Sequence, residues 1–259
     1  MPIFNEWCDQ KREDDKKTSL WTVSEKANIR DKIFPKLLPI VRSHYEDLTR
    51  IADALSELGY KKAEKILKGR MPQTATARSG DLGEILATEF AEEAFDFTIP
   101  IKRLRYKDGR DMPLRGDDFI GIRYNEKEGL FLLKGESKSR LKLTKTVITE
   151  ARTVLNKDNG RCTPISLSFV YDRLLDSTDD DDKKLGKILR NEVANDALPP
   201  SKITHALITF SGNSPIELLR SDLKAADAKR SQNVVNIYIP DHVNFIKLTF
   251  EKAQKLGNP

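Results

Sequence analysis

The sequence predicts a mixed α/β fold, and three observations indicate it. The 259 residues are 38% hydrophobic and 33% charged, a balance typical of a globular chain that buries a core without disulfide staples. Short apolar runs of strand length are interspersed with longer segments whose apolar residues recur at helical spacing. Two of the apolar runs flank a polar, glycine-ended segment, which is typical of a hairpin. The order helix, strands, helix, strand is the mixed α/β pattern.

Residues 1–75 are predicted to form a mostly helical N-terminal part. The first 30 residues are polar and mixed in charge, and they predict no definite structure. Residues 40–58 place their apolar side chains at the i, i+3, i+4 and i+7 positions of an amphipathic helix, which Gly59 ends. A second helix is expected over residues 60–67.

Residues 76–259 are predicted to form a second domain that contains the sheet. It begins with a helix over residues 80–95, for which Ser79 is the expected N-cap. Residues 98–101 are expected to be extended, and the acidic run 179–182 is expected to be a solvated loop. Strands are predicted at 118–124, 130–138, 165–171, 205–210 and 234–239, and further helices at 141–155 and 243–256.

The composition makes several classes of protein improbable. Three dispersed histidines and two cysteines form no cluster with zinc-binding spacing. The chain contains no GxxxxGK[ST] phosphate loop, no GxGxxG motif and no GxSxG nucleophile elbow. Its first residues lack the apolar core of a signal peptide, and no segment reaches the roughly 20 apolar residues of a membrane span. We therefore expect a protein of the reducing cytoplasm.

The positive charge is concentrated in two stretches around the predicted hairpin. The net charge is only +5, which permits a nucleic-acid partner without requiring one. Residues 102–115 contain six Lys or Arg and two Asp, and residues 134–145 contain five Lys or Arg and one Glu, so each stretch carries +4. Arg140, Lys142 and Lys145 follow the second strand. They are interpreted either as phosphate contacts or as an ordinary polar helix face.

The hairpin predicts a pair of carboxylates that face each other. If residues 125–129 form its loop, Asp118 lies opposite Glu136, with Cβ atoms about 4.5–5.5 Å apart. Two such carboxylates repel each other unless a cation lies between them, and Mg²⁺ accepts oxygen ligands from both. A loop one residue shorter or longer would remove this pairing. Asp117 would face the other way, and we expect it to be a turn residue or a support for the site.

Two further residues complete the predicted site. Lys138 shares a strand face with Glu136, so its ammonium group can orient an attacking water or stabilise charge on a phosphate. Glu84 lies on a helix face lined by alanines, and we expect it to hold outer metal waters. The other interpretation of Glu136 and Lys138 is a solvated strand face, and that of Glu84 a surface carboxylate near a helix N-terminus. The alternatives to Glu84 are Glu89, Glu92 and Glu93.

These motifs resemble those of known nucleases. A helix Glu, then Asp, then Glu-x-Lys on a hairpin is similar to the PD-(D/E)xK nuclease superfamily. The local sequences also resemble the HamA family, the effector nucleases of the Hachiman anti-phage defence system. The segments that carry this resemblance are Ser79-Gly80-Asp81-Leu82-Gly83-Glu84, Arg115-Gly116-Asp117-Asp118 and Gly135-Glu136-Ser137-Lys138-Ser139.

The resemblance implies a fold and an activity. The fold would be a restriction-endonuclease-like core, α-β-β-β-α-β, with a helical N-terminal extension. The activity would be DNA cleavage that depends on Mg²⁺, for which Mn²⁺ can substitute, with catalytic residues Glu84, Asp118, Glu136 and Lys138. Asp118 and Glu136 would bind the metal. A superfamily 2-type, HamB-like helicase would hold the nuclease inactive until phage or damaged DNA is sensed.

Two other functions remain open from the sequence. One is a restriction-type or junction-resolving nuclease on the same core, which acts without a helicase. The other is a catalytically degenerate DNA-binding module. The first would form no stable helicase complex, and the second would leave DNA intact in the presence of Mg²⁺ or Mn²⁺.

Overall fold

A computed structural model describes residues 2–256, so the last three residues of the predicted domain 76–259 lie outside the described part. The strands are β1 (Cys8–Asp15), β2 (Thr18–Glu25), β3 (Phe119–Asn125), β4 (Gly129–Arg140), β5 (Ile203–Ser211) and β6 (Gln232–Tyr238). The helices are α1 (Phe4–Trp7), α2 (Arg30–Ser43), α3 (Leu48–Leu58), α4 (Tyr60–Arg70), α5 (Ala75–Ala94), α6 (Lys145–Asn156), α7 (Pro164–Leu175), α8 (Asp180–Asn195), α9 (Ile216–Ala225) and α10 (His242–Ala253).

The six strands of the described chain form one mixed sheet, in the order β1-β2-β6-β5-β4-β3. The predicted mixed α/β class is confirmed. Strands β2, β6, β5 and β4 run parallel to one another, whereas β1 and β3 pair antiparallel with β2 and β4 at the two edges. The predicted hairpin register is also confirmed, because Tyr124 pairs with Leu130. The predicted strands at 205–210 and 234–239 correspond to β5 and β6.

Helices cover both faces of the sheet. On one face, α2, α5 and α10 pack their apolar side chains against the strands and form the main core. On the other face, α7 and α8 cover β3 and β4, while α6 and α9 cover β2, β5 and β6. Burial on both faces explains why the central strands read as continuous apolar runs rather than alternating ones. Within residues 2–256, no helix is both long enough and apolar enough to cross a lipid bilayer.

The N-terminal part contains more sheet than its sequence predicted. The first 30 residues include α1 and the β1-β2 hairpin, and β2 pairs parallel to β6. The single helix predicted over residues 40–58 was wrong, because α2 ends at Ser43 and α3 begins at Leu48. Asp47 separates them, since its side chain accepts a hydrogen bond from the N–H of Thr49 and caps α3. Gly59 ends α3 as predicted.

Residues 165–171 form part of α7 rather than the predicted strand. Thr163 is the N-cap, and Pro164 occupies the first helical position, where its missing N–H costs nothing. Leu167, Val170 and Leu174 then face the core at helical spacing. A short apolar run does not distinguish a strand from a buried helix, which explains the error.

Three smaller predictions were also corrected. Helix α5 begins earlier than expected, so its N-cap is Thr74 and not Ser79. Residues 98–101 contribute only an isolated β-bridge, in which Thr98 pairs with Ile122. The acidic run is not a loop: Asp179 caps α8 and the next three aspartates form its first turn, where the helix dipole favours negative charge.

Candidate active site

Helix α5 lies unusually close to β4 near the end of the hairpin. A Cβ atom added to Gly83 would lie 2.8 Å from the Cβ of Ser139, so a larger residue at this position does not fit. Ser79, one turn earlier, is hydrogen-bonded to the hydroxyl of Ser139 at 2.8 Å. These contacts hold α5 against β4 and bring Glu84 beside the carboxyl-terminal half of the strand.

Asp118 is anchored to β4 by its side chain. The antiparallel ladder ends at the Phe119–Gly135 pair, so Asp118 lies one residue beyond it. Its N–H donates to the carbonyl of Gly135 at 3.2 Å, and its carboxylate accepts the N–H of Ser137 at 2.7 Å and the hydroxyl at 3.1 Å. Beyond the last paired residues, the Asp118 side chain thus accepts the Ser137 N–H that a backbone carbonyl of β3 would otherwise accept.

Glu136 and Lys138 form an ion pair along β4. They are two residues apart on a strand, so their side chains share one face. Glu136 is only 3% exposed, whereas Lys138 is partly exposed. The ammonium group therefore neutralises a carboxylate that has lost nearly all of its contact with water.

A pocket of about 200 Å³ opens beside these residues. Glu84, Asp118 and Lys138 line it, whereas Glu136 does not line it but is ion-paired to Lys138. The pocket is also lined by Asp81, which forms a buried ion pair with Lys107 at 2.8 Å. Three of the four predicted catalytic side chains therefore line one pocket, and the fourth, Glu136, is ion-paired to one of them.

The electrostatics of the site are dominated by crowded, poorly hydrated carboxylates. Burial, and then the charge of Asp118, raises the pKa of Glu136 to about 7. The same two causes raise the pKa of Glu84 well above its ordinary range. Burial also raises the pKa of Asp118, although its hydrogen bonds from Ser137 oppose this. A cation placed among these groups would relieve their mutual repulsion.

This donor set fits a divalent ion such as Mg²⁺. Mg²⁺ keeps several waters and is usually held by only one or two protein carboxylates. Among residues 2–256, no group of three or more His, Cys, Asp or Glu side chains is already arranged around a common point. Asp118 and Glu136 are the two carboxylates that would hold such an ion, and binding would require Lys138 to release Glu136.

The alternative acids on α5 have other roles. Glu89 is hydrogen-bonded to the ring of His44 at 2.7 Å, and its pKa is lowered to about 2, since its bonds to His44 and a lysine outweigh the opposing effect of burial. Glu92 and Glu93 accept backbone N–H groups from other segments. Of the four glutamates of this helix, Glu84 is thus the one that lines the pocket, together with Asp81.

Asp117 supports the fold on the opposite side from the pocket. Its carboxylate accepts the N–H of Thr163 at 2.7 Å and lies 3.6 Å from the ammonium of Lys134. Its own N–H donates to the hydroxyl of Ser166. Asp117 therefore ties the segment before β3 to the start of α7, a role more specific than the expected turn.

The predicted cations lie at the exit of β4. Arg140 lines the pocket and donates to the carbonyl of Ser139 at 2.8 Å. Lys142 and Lys145 are exposed between β4 and the first turn of α6. Two contributors to the site were not predicted. Ser137 stands inside the Glu-Ser-Lys motif, but nothing in the sequence shows that it binds Asp118. The Asp81–Lys107 ion pair was signalled only by the three-residue spacing of Asp81 and Glu84, which places both acids on one face of α5.

The fold and the site define an α/β protein with clustered carboxylates and a lysine at the end of a hairpin strand. The sequence profile of the HamA family matches residues 1–253, and the chain belongs to that family. The resemblance to this family that the motifs indicated is therefore confirmed. A relative is the Hachiman protein HamA of Bacillus cereus, which is 30% identical over 118 residues. That alignment covers 46% of this chain and 40% of the relative.

Proposed function

We propose that the protein is a metal-dependent DNA endonuclease with a PD-(D/E)xK core. The observation that supports this most strongly is that Glu84, Asp118 and Lys138 line one pocket, while Glu136 is ion-paired to Lys138. Two carboxylates and an amine at the end of a hairpin are the minimum equipment for hydrolysis of a phosphodiester bond with a divalent ion.

Each of the four side chains has a distinct role in the proposed reaction. Asp118 and Glu136 hold Mg²⁺, or Mn²⁺ in its place, which supplies Lewis-acid activation of the phosphate and of a water. Lys138, once released from Glu136, orients the attacking water and stabilises the charge that grows on the phosphate. Glu84 accepts hydrogen bonds from waters in the pocket. Ser137 keeps Asp118 in place from β4.

The surroundings of the pocket suit a DNA backbone. Arg140, Lys142 and Lys145 place three positive charges along the exit from β4, where they contact phosphates. Such contacts position a strand without reading its sequence. We propose on this basis that cleavage has little sequence preference.

Family membership supports a biological role. The relative is named a Hachiman protein, and we propose that this chain is likewise a cytoplasmic effector of an anti-phage defence system. In this proposal, a superfamily 2-type, HamB-like helicase binds the protein and keeps it inactive until phage or damaged DNA is sensed.

Plasmid digestion tests the proposed activity. Purified protein is incubated with supercoiled DNA in Mg²⁺, in Mn²⁺ or in EDTA, with and without the helicase. Without the helicase, we expect nicked and linear products in either metal and none in EDTA. With the helicase and undamaged plasmid, we expect cleavage to be suppressed. Intact plasmid under every condition would contradict the proposal and would favour a DNA-binding module without catalysis, in which the Glu136–Lys138 ion pair is permanent.

The raised pKa of Glu136 predicts a pH-dependent stability in the absence of metal. The pKa rises from an ordinary value of 4.5 to about 7 in the folded protein, so folding favours the protonated carboxyl. This contribution is fully present below about pH 4.5 and is lost as the pH rises through 7, by up to about 3 kcal/mol. We therefore expect the melting temperature in EDTA to fall between pH 5 and pH 8, roughly, and added Mg²⁺ to restore it at the higher pH.

The substitution Glu136→Gln isolates this effect. Glutamine does not titrate, so the variant should show a smaller fall in melting temperature than the parent. The fall that remains comes from Glu84 and Asp118, whose pKa values burial also raises. The exposed Glu57→Gln serves as the matched control and should keep the parent profile. A Glu136→Gln protein with the pH profile of the parent would show that another group is responsible.

A further inference from the structure

A larger groove lies directly beside the candidate active site. Its volume is about 670 Å³, and it runs between the first turns of α5 and helix α10, which we call the α5–α10 groove. Ser139 and Arg140 line both this groove and the 200 Å³ pocket. The pocket and the groove therefore adjoin at these two residues.

The groove combines an apolar surface with unpaired positive charge. Leu141 and Val243 are 56% and 61% exposed there, which is unusual for large apolar side chains. Arg78 and Arg140 also line it, and each donates to a backbone carbonyl but has no acidic partner among residues 2–256.

The remaining charges in the groove nearly cancel. Lys247 and Glu251 lie 3.9 Å apart on α10, where both are exposed. The net charge of the lining is therefore positive and comes from the two arginines. An anionic ligand with apolar faces complements this surface better than a cationic or purely apolar one does.

The base of the groove is rigid. The hydroxyl of Ser139 is hydrogen-bonded to Ser79 at 2.8 Å and to the ring of His242 at 3.1 Å. This chain of contacts links α5, β4 and α10, the three elements that form the walls. The groove is therefore largely preformed, as small ligand sites usually are.

We infer that the α5–α10 groove binds unpaired nucleotides of the DNA strand next to the phosphate that is cut. This inference rests on the proposed nuclease function. Bases present apolar faces that would cover Leu141 and Val243, and their phosphates would pair with Arg78 and Arg140. We expect the groove to admit a single strand rather than a base-paired duplex, whose bases are stacked and paired and cannot cover Leu141 and Val243. The protein should thus prefer DNA with single-stranded segments.

Oligonucleotide binding tests this inference separately from cleavage. Fluorescein-labelled single-stranded and blunt duplex DNA of equal length are titrated in EDTA, and the dissociation constants are measured by fluorescence anisotropy. The test variant is Val243→Glu, which places a negative charge in the groove at the second residue of α10. An acidic residue is favourable near a helix N-terminus, so the variant should fold.

A matched control is available on α7. Ile165 is 57% exposed and is also the second residue of its helix, but it lies outside the groove lining. Val243→Glu should weaken single-strand binding at least about tenfold and change duplex binding less than about twofold, whereas Ile165→Glu should change neither.

The outcomes separate the two proposals. If the parent does not cleave DNA but Val243→Glu selectively weakens single-strand binding, the groove assignment stands and the nuclease function fails. If Val243→Glu binds single strands as tightly as the parent, or weakens both substrates equally, the groove assignment is overturned. Absence of single-strand binding by the parent would also overturn it and would leave a peptide segment of a partner as the occupant.

Discussion

Replacing Lys138 with alanine is expected to reduce DNA cleavage at least about 100-fold while the protein remains folded. The loss follows because the amine beside the two carboxylates is the group assigned to the water and to the developing phosphate charge. The fold should persist, since Glu136 is left to take up a proton rather than remain an unpaired buried charge. Initial rates of plasmid nicking and circular dichroism measure the two effects.

Lys127→Ala is the matched control for this experiment. Lys127 lies on the same hairpin but in its exposed loop, at the opposite end from the candidate site. Its replacement should leave the rate of nicking within about twofold of the parent. If Lys138→Ala nicks plasmid as fast as Lys127→Ala, Lys138 does not have the catalytic role proposed for it.

The substitution Gly83→Ala should damage both stability and activity. The new Cβ would lie 2.8 Å from the Cβ of Ser139, so α5 or β4 has to move. Overpacking of this kind costs about 1–3 kcal/mol of unfolding free energy. The displacement also carries Glu84 away from Asp118, so the rate of cleavage should fall more than the loss of stability explains. Chemical denaturation and nicking rates measure these effects.

Gly80→Ala on the same helix is the control for Gly83→Ala, because it should stabilise the protein rather than destabilise it. A Cβ at this position would meet nothing within 4 Å, so the change removes a helix-destabilising glycine at no steric cost. The variant should gain about 0.5–1 kcal/mol of unfolding free energy. Equal stabilities for Gly83→Ala and Gly80→Ala would show that α5 does not lie against β4 as described.

The hairpin and its register were predictable because they depend on local sequence. The loop predicted at 125–129 is shorter, residues 126–128, because Asn125 pairs with Gly129, but the register is the same. This register pairs Tyr124 with Leu130 and places Asp118 beside Gly135 of β4. The types and spacing of the acidic and basic side chains around this hairpin then identified the candidate site residues. The same register also predicted that Asp117 faces away from Asp118, and the carboxylate of Asp117 does bind the start of α7 instead.

Other features depend on contacts between distant parts of the chain. Strand β1 is an edge strand with the charged sequence CDQKREDD, so it has no alternating apolar pattern to detect. Its partner β2 is placed by pairing with β6, more than 200 residues later. The close approach of Gly83 to Ser139 likewise arises only when α5 packs on the sheet.

Titration with Mn²⁺ tests the central claim most directly, because it asks whether Asp118 and Glu136 hold a divalent ion together. Calorimetry or electron paramagnetic resonance at about pH 8, where Glu136 is deprotonated, should detect binding to the parent protein. Asp118→Asn and Glu136→Gln should each weaken it at least about tenfold, and the exposed Asp53→Asn should not. Unchanged Mn²⁺ affinity in both site variants would contradict the account.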